Sequence, residues 1–404
     1  MDHAEDATPA DEAPEDTSLA NPDVTTKYRT VGDIVNAALE SVVSKCVEGA
    51  DVLELCRLGD SFIEDKTAGL YNAKKGGKKK VEKGLAFPTC ISVNEVSGHF
   101  SPLPGDSYTL QKGDLAKVDM GGHIDGYICV AAHTVVVGPA EGDESNGEGS
   151  AVTGRKADVL RAAWTAAEAA LRKVKVGNKN TDVTAVINKA ASEFQCSPMQ
   201  GNLSHQMKRH VIDGNQVIIA KELPEEKVDE FEFGMNEVYG IDIVMSTGEG
   251  KPKESEHKTT IYKRAVETNY GLKTQLARSF LAEVNRRFPT LPFNIRSVED
   301  ERAMRVGVSE CMRHELLHPY PVLCEKQGEY VAQFKFTLLL LPGGTKKITG
   351  LALGQDSQIQ SEFTVQDEDL KKILATSANP KKAKKKGRSE QEATNGKAEQ
   401  EQEA

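Results

Sequence analysis

The 404-residue sequence predicts an α+β fold built from two similar halves that face each other across a cleft. Two amphipathic helices followed by strands occur twice along the chain, which indicates a duplication. The connectors CVEGADVLEL (46–55) and VKVGNKNTDVTAV (174–186) also resemble each other, since each joins an apolar helix end and a glycine to an Asp-Val pair. A mostly helical segment and two further strands follow the second half.

The first half is predicted from helical periodicity followed by strand alternation. Apolar residues recur at helical spacing over 31–46, and a second amphipathic stretch covers about 51–63. Strands are predicted in LAFPTCISVN and in the alternating stretch 115–137, which folds over a Gly-rich turn as a hairpin. Asp119 stands on the first arm of this hairpin. Val130 stands on the other arm, where a metal-binding hairpin would need a second acid.

The second half repeats this order. Helices are predicted over about 154–174 and from about 186 to 194. Strands are predicted around 216–220, 238–247 and 256–263. Residues of about 265–317 form a predicted helical insertion, and the segments EYVAQFKFTLLLLP and ITGLAL are predicted to return to the main domain as two final strands.

The ends of the chain differ in composition from the folded domain, which is predicted to span 26–353. Residues 1–25 are rich in Ala, Pro, Asp and Glu and are predicted to be a disordered acidic extension. Residues 354–404 form a C-terminal region in which an LKKIL helix precedes a Lys-rich and then Glu/Gln-rich disordered tail. A further acidic loop occupies 139–152.

Composition excludes several classes of protein. The longest apolar run, FTLLLLP, is too short to span a bilayer, and the acidic N-terminus is unlike a signal peptide, so no membrane partner is expected. Seven cysteines without a CxxC pair indicate reduced thiols in the cytosol or nucleus rather than a zinc knuckle or a disulfide framework. The net charge of −10 hides opposed blocks, because the basic runs KKGGKKK and KKAKKKGR interrupt an acidic chain.

Four segments taken together resemble the successive active-site segments of type II methionine aminopeptidases. They are GLAFPTCISVNEVSGHFSP, AKVDMGGHIDGYI, YGIDIVMSTGEG and HPYPVLCEKQGEYVAQFKFT. The resemblance covers about 27–350 and implies the duplicated pita-bread fold of creatinase and methionine aminopeptidase, with a helical insertion at 265–317. Enzymes of this kind hold two divalent metals with two Asp, one His and two Glu, and a metal-bridging hydroxide attacks the peptide bond.

Carried over by position, the metal ligands of these enzymes are largely absent. Asp119 matches the first Asp, but Val130 occupies the position of the second. Asp242 replaces the first Glu and Lys335 replaces the last. Val has no lone pair, and an ammonium repels cations where oxygen ligands are required. Since Asp119, Asp242 and Lys335 sum to a charge of −1 without metal, we expect Lys335 to act as the counter-ion, with no metal, no cofactor and no catalysis.

The histidines leave one alternative open. The ligand position falls in GNLSHQMKRHVIDG, at His205 with a one-residue shift of the alignment or at Ser204 without it. His99 matches the substrate-facing histidine of the enzymes. With the carboxylate set incomplete, His99, His205, His123 and His210 are more often structural histidines than ligands.

The same pattern is similar to that of the proliferation-associated, ErbB-3-binding protein family. The resemblance implies a pseudo-aminopeptidase that binds structured RNA, including rRNA, and associates with the large ribosomal subunit. It also implies movement between cytoplasm, nucleus and nucleolus and a role in growth, ribosome biogenesis or translation. Two alternatives remain: a scaffold or co-regulator for transcriptional or signalling proteins, and, less favoured, an active peptidase with a remodelled one-metal site.

The surface motifs have competing interpretations. The basic clusters comprise Lys74, Lys75, Lys78, Lys79 and Lys80, then Lys381, Lys382, Lys384, Lys385, Lys386 and Arg388. They are candidates for RNA phosphate contacts, for nuclear targeting in the second cluster, or for solvated surface. Leu370, Ile373 and Leu374 share one helical face, which suits either a partner's groove or packing on the protein's own core.

Overall fold

The structure is a computed structural model that describes residues 16–72, 81–138, 151–222, 228–354 and 358–378. Its helices are α1 Pro22–Val43, α2 Val52–Ala68, α3 Gly154–Lys173, α4 Asn180–Glu193, α5 Gln275–Arg287, α6 Glu301–Arg313 and α7 Glu368–Ala375. Its strands are β1 Lys83–Val93, β2 Val96–Gly98, β3 Leu115–Ile124, β4 Tyr127–Val136, β5 Ser197–Pro198, β6 Leu203–Met207, β7 Val217–Ile219, β8 Val238–Ser246, β9 Lys253–Glu254, β10 Ile261–Arg264, β11 Phe293–Asn294, β12 Leu317–Tyr320, β13 Leu323–Cys324, β14 Val331–Leu341 and β15 Gly344–Lys347. No helix among the described residues combines the length and apolar character that crossing a bilayer requires.

One antiparallel sheet joins the two halves in the order β1-β3-β4-β14-β8-β6-β7, with β15 and β5 at its margins. Strand β14, near the end of the domain, lies between the first-half hairpin and β8 of the second half. One face of the sheet packs on helices, so that two apolar cores form, one beneath α1 and α2 and one beneath α3 and α4. The strands alternate between this core face and the opposite face, where the cleft lies.

Helix α1 begins earlier than the sequence pattern predicted. The Asn21 side chain accepts a hydrogen bond from the Asp23 N–H at 3.0 Å, and Pro22 occupies the first turn. Leu19 and Val24 are both buried in the first core. The boundary at residue 25 was therefore set too late, because a helix cap and two core residues are embedded in an otherwise acidic segment.

The predicted strand ITGLAL is wrong. The final strand is β15, which turns back directly after β14, and residues 348–353 have no strand pairing. The Ile348 N–H donates to the Thr337 backbone carbonyl at 3.0 Å, and the Asn36 side chain accepts from the Gly350 N–H and donates to the Ile348 carbonyl. Because a tight turn follows β14, the last strand comes earlier in the sequence than predicted. The apolar segment 348–353 then packs over α1.

The insertion contains both helices and strands. α5 and α6 pack on each other over an apolar cluster that includes Phe280, and β11 and β12 flank β10 in a small sheet. A Cβ on Gly307 would overlap the Phe280 side chain, so only glycine allows this approach of the two helices. Arg296 ties the insertion to α2 through the Asp60 carboxylate.

Helix α7 favours the second of the two interpretations of Leu370, Ile373 and Leu374, packing on the protein's own core, over a partner motif. Leu370 is fully buried, and the other two residues pack partly against the second core. The helix lies on α3 and α4, so its apolar face covers the protein's own core rather than facing solvent.

The tip of the β3–β4 hairpin is bonded to both halves of the protein. Asp125 accepts hydrogen bonds from Lys27 of α1 at 2.7 Å and from the Arg209 guanidinium. The two cations lie over the Tyr127 ring, each 5.5 Å from its centroid. Burial alone would raise the pKa of the Asp125 carboxyl, but the bonds from Lys27 and Arg209 hold that pKa below its ordinary value.

Replacing Asp125 tests this lock. We expect Asp125→Asn to lower the free energy of unfolding by about 2 kcal/mol, because two charge-assisted hydrogen bonds are weakened together. Asp106→Asn is the matched control, since its partner Lys258 is largely exposed, and it should change urea unfolding little. Because the pKa of Asp125 is lowered by folding, its stabilising contribution is complete above pH 3.8 and is lost as the pH falls further. The free energies of unfolding of wild type and variant should therefore converge in acid. Equal losses for both variants at neutral pH would contradict a lock at the hairpin tip.

Candidate functional site

The site is formed by residues that lie in one row across four neighbouring strands. Asp119 on β3 pairs with Ala132 on β4, Ala132 pairs with Lys335 on β14, and Lys335 pairs with Asp242 on β8. Residues paired in register project from the same face of a sheet. The small side chain of Ala132 leaves room for Lys335 to reach past it to Asp119.

The Lys335 ammonium lies between the two carboxylates. Its Nζ is 2.6 Å from Asp119 Oδ2 and 3.0 Å from Asp242 Oδ2. Gln333, two residues earlier on the same strand, donates its amide to Asp242 Oδ1 at 2.9 Å and to Asp119 Oδ2 at 3.3 Å. All three ionic side chains are at most 15% exposed, so they interact in a medium that screens charge poorly.

Burial and pairing determine the protonation of this set. Burial lowers the pKa of Lys335, but the Asp119 and Asp242 carboxylates outweigh it and raise that pKa above the ordinary value, so the side chain stays an ammonium. Burial raises the pKa of Asp119, and Lys335 opposes the rise only in part. Asp119 Oδ1 is buried and has no hydrogen-bond partner among the described residues.

Val130 fills space between neighbouring strands. Its two methyl groups lie about 3.1 Å from where Cβ atoms would stand on Gly121 and Gly240. Its backbone N–H and carbonyl are bonded to the Thr337 hydroxyl at 2.9 and 3.0 Å. The position is held firmly and presents only methyl groups to the site.

The structure decides between His205 and Ser204. His205 lines the cavity, while the Ser204 hydroxyl accepts from the Asp242 N–H at 2.8 Å. His99 lines the same cavity and packs its ring edge-on against Tyr320 with centroids 5.4 Å apart. Burial is the main cause that lowers the pKa of both His99 and His205.

His123 and His210 do not join this site. They line a separate groove of about 650 Å³ between α2, the hairpin tip and the insertion. The Nδ1 of His123 accepts from the Gly126 N–H at 3.3 Å, and burial lowers the pKa of His123 to about 4. His123 belongs to the hairpin, and His210, which follows β6, packs its ring against Gly126 at the hairpin tip.

The site surrounds a central cavity of about 290 Å³, which Asp119, Asp242, Lys335, His99 and His205 line on the polar side. The apolar side comprises Phe87, Met207, Ile212, Tyr320 and Val130. Gln333 also lines the cavity, and sequence reasoning missed it. The available signal was its spacing of two residues from Lys335, which places both side chains on one face of a strand.

The metal pair implied by the fold does not fit these residues. Lys335 Nζ occupies the space between the carboxylates where a cation would bind, and Val130 offers no ligand. Within the described ranges, no three His, Cys, Asp or Glu side chains are grouped so that they could hold a metal ion. A cation would therefore have to displace a buried ammonium that is already paired.

Several predicted surface residues lie outside the described part of the chain. They are the lysines of 74–80, the basic run 381–388, the first 15 residues and most of the loop 139–152. Asn72 and Val81, which flank the first basic run, line the groove beside α2.

Comparison with known proteins identifies the family. The family model described as metallopeptidase family M24 matches residues 26–248. ErbB-3 binding protein 1 of Arabidopsis thaliana is 49% identical over 366 residues, which cover 90% of this chain and 89% of that protein. The chain belongs to the proliferation-associated, ErbB-3-binding protein family.

Other members of the comparison extend this result. The curved DNA-binding protein of Schizosaccharomyces pombe is 36% identical over 92% of this chain and 95% of its own length. The solved structure of a thermophilic Arx1 has a TM-score of 0.80 and 26% identity, covering 89% of this chain and 99% of that one. The pita-bread fold predicted from the sequence is confirmed.

Removing the Lys335 ammonium should be costly to the fold. We expect Lys335→Met to lower the free energy of unfolding by about 3–5 kcal/mol, because two buried carboxylates lose their counter-ion. Lys335→Met combined with Asp119→Asn should lose less than the sum of the two single changes.

Urea unfolding measures both effects, and Lys258→Met is the matched control at an exposed ion pair. Strict additivity of the two buried changes would show that the ammonium and the carboxylate do not interact.

Proposed function

We propose that this protein is a catalytically inactive member of the M24 family that works as a nucleic-acid-binding protein. Inactivity is inferred from the position of the Lys335 ammonium, which lies 2.6 Å from the Asp119 carboxylate and 3.0 Å from the Asp242 carboxylate, where a cation would otherwise bind. Metal-assisted hydrolysis needs a bound water activated by that cation. A lysine at this position removes the attacking group and not merely one ligand.

The exposed face of α5 supports nucleic-acid binding. Its solvent-exposed residues include Arg278 and Arg286 and no acidic residue, while Glu283 is half-buried and paired with Arg287. Arg278 and Arg286 lie on one stripe of the helix, and Lys273 precedes it. The basic runs 74–80 and 381–388 add to this charge, and the fission yeast relative carries DNA binding in its name.

Such a surface suits contacts to phosphates rather than the reading of bases. Lysine and arginine side chains neutralise backbone phosphates and release counter-ions, so binding weakens steeply with salt. Double-stranded RNA is recognised mainly through its shape and its backbone. We therefore assign structured RNA, including rRNA of the large ribosomal subunit, as the partner, in keeping with the family that the sequence resembles.

The cellular role follows from the same proposal. The protein would act in growth control through ribosome biogenesis or translation, in the cytoplasm and in the nucleus or nucleolus, with 381–388 as the nuclear address. The name of the Arabidopsis relative favours a second role in binding signalling proteins. The buried face of α7 argues against a transcriptional partner bound through Leu370 while α7 stays docked.

Restoring one acid should not restore catalysis. We expect Lys335→Glu to lower stability and to leave the protein without peptidase activity, because Val130 still supplies no ligand. Metal analysis of the purified protein and cleavage of a Met-Ala-Ser peptide are the measurements. Stoichiometric metal together with turnover in the wild type would overturn the assignment of inactivity, and turnover in the variant would contradict the argument from Val130.

Salt-dependent co-sedimentation with large ribosomal subunits tests the RNA role. Replacing the lysines of 74–80 and the cationic residues of 381–388 by Gln should reduce the fraction of protein that co-sediments with the subunits. That fraction should also depend less on salt concentration, because fewer phosphates are contacted. The pair Arg278→Gln and Arg286→Gln should act in the same direction. Arg305→Gln is the control, since Arg305 already pairs with Glu301 on α6. If all variants sediment like wild type, the basic segments are only addresses or solubilising tails.

A further inference from the structure

A second cavity lies on the helix side of the large sheet, where the two apolar cores meet. It has a volume of about 320 Å³ and is called the rear cavity below. Val43 and Cys46 of its wall belong to the first core, and Leu160 and Ile359 belong to the second. The rear cavity is therefore a gap between the cores of the two halves, separate from the central cavity.

The gap lies where β4 and β14 separate. These strands pair at one position, Ala132 with Lys335. Beyond it the Thr134 hydroxyl stands between the strands, donating to the Gln333 carbonyl and accepting from the Gln333 N–H, both at 2.7 Å. Because a side chain is interposed here, the strands lie further apart than in a continuous ladder, and the cores beneath them leave a space.

His133 of β4 faces the rear cavity. Successive residues of a strand point to opposite faces, so His133 lies on the helix side while Ala132 lies on the side of the charged row. The His133 side chain is only 4% exposed, and its ring packs edge-on against Phe334 with centroids 5.2 Å apart. Its ring nitrogens form no hydrogen bond with any residue that the structure describes, and neither is sealed from a water-sized contact. The imidazole is thus a buried polar group that opens onto the cavity without a partner.

The other polar side chains of the described wall are already bonded within the protein. The Ser44 hydroxyl and the Cys46 thiol donate to backbone carbonyls of α1 at 2.9 and 3.4 Å, and Thr134 is bonded to β14. The described wall contains no charged side chain. Since buried polar groups are nearly always hydrogen-bonded, the unpartnered His133 is the feature of this wall that needs a ligand.

The protonation of His133 defines what that ligand must offer. Burial, assisted by the positive charge of Lys347, lowers the pKa of His133 to about 4, so the ring is neutral at pH 7. A neutral imidazole has one N–H donor and one lone pair, and a hydroxyl group can complement either of them. A charged ligand would lose its hydration against a described wall that has no counter-charge. The ligand is therefore an uncharged molecule with a hydroxyl group.

The volume and the apolar wall indicate the size of this molecule. The 320 Å³ of the rear cavity is about twice the roughly 150 Å³ of an apolar cavity that holds benzene. An ordered water needs two to four polar partners, whereas the described wall offers one unused polar group. Two fused rings therefore suit the space better than a cluster of waters.

We propose that the rear cavity binds an uncharged ring compound with one hydroxyl group, which bonds to His133 while the rings contact Val43, Val135 and Leu160. This inference goes beyond the proposed function, because it requires neither nucleic acid nor the charged row of the central cavity.

Equilibrium dialysis of the full-length protein against three matched probes tests the proposal. 2-Naphthol should bind saturably at one site. Naphthalene, which lacks the hydroxyl, should bind about fivefold more weakly, because one hydrogen bond to a neutral group is lost. 2-Naphthoate, which carries a charge, should not bind. Absence of 2-naphthol binding, equal affinity for naphthalene, or tighter binding of 2-naphthoate would each overturn the proposal.

Replacing His133 tests its role. His133→Phe should bring the ratio of the 2-naphthol and naphthalene affinities to about one, because the hydroxyl loses its partner while a ring of similar size remains. His318→Phe is the matched control, since His318 is exposed outside the cavity, and it should keep the wild-type ratio. Thermal unfolding checks that each variant is folded. An unchanged ratio in folded His133→Phe would contradict the proposal.

A change at the rim locates the ligand without altering the core. Ser44 is exposed at the end of α1 and lines the cavity, so Ser44→Trp should obstruct it and abolish 2-naphthol binding. Glu40→Trp, one turn earlier on the exposed side of α1, is the control and should bind like wild type. Binding that persists in Ser44→Trp and is lost in His205→Leu would place the ligand in the central cavity and overturn the proposal.

Discussion

The ammonium of Lys335 between Asp119 and Asp242 is the interaction on which the centre of this protein depends. Three charged side chains, on β3, β14 and β8, are nearly excluded from solvent, so each would be unfavourable alone. Their arrangement is tolerated because the strand register puts them in one row and Ala132 leaves the space between them. The Gln333 amide then bonds to both carboxylates. A change of register by one residue would turn the whole set into the helix-packed core.

The walls of the central cavity are also held by contacts outside the charged row. The neighbours of the site residues on β14 and β8, including Phe334, Phe336 and Ile243, belong to the core beneath α3. At the margins, Asp125 fixes the hairpin tip and Arg296 fixes the insertion to α2. Loss of metal ligands in a sheet held this way alters the chemistry of the pocket while its walls stay in place.

The insertion links the surface proposed for nucleic-acid binding to the central cavity. Its helix α5 exposes a face with arginines and no acids, and its strand β12 supplies Tyr320 to the wall of the cavity. The ring of Tyr320 contacts both His99 and Phe87 edge-on. A movement of the insertion would thus reach the cavity through one aromatic side chain, because Tyr320 belongs to the same small sheet as β10 and β11.

The sequence by itself determined the helices and strands with clear periodicity, and the substitutions at Val130 and Lys335, because residue identity and spacing are local properties. Only the tertiary structure decided that His205 rather than Ser204 enters the cavity and that Gln333 joins the two carboxylates. It also decided that Leu370 is buried and that Leu19 packs in the first core. These outcomes depend on which surfaces pack together in the folded chain. A sequence pattern shows that a face is apolar, but it does not show which other surface covers that face.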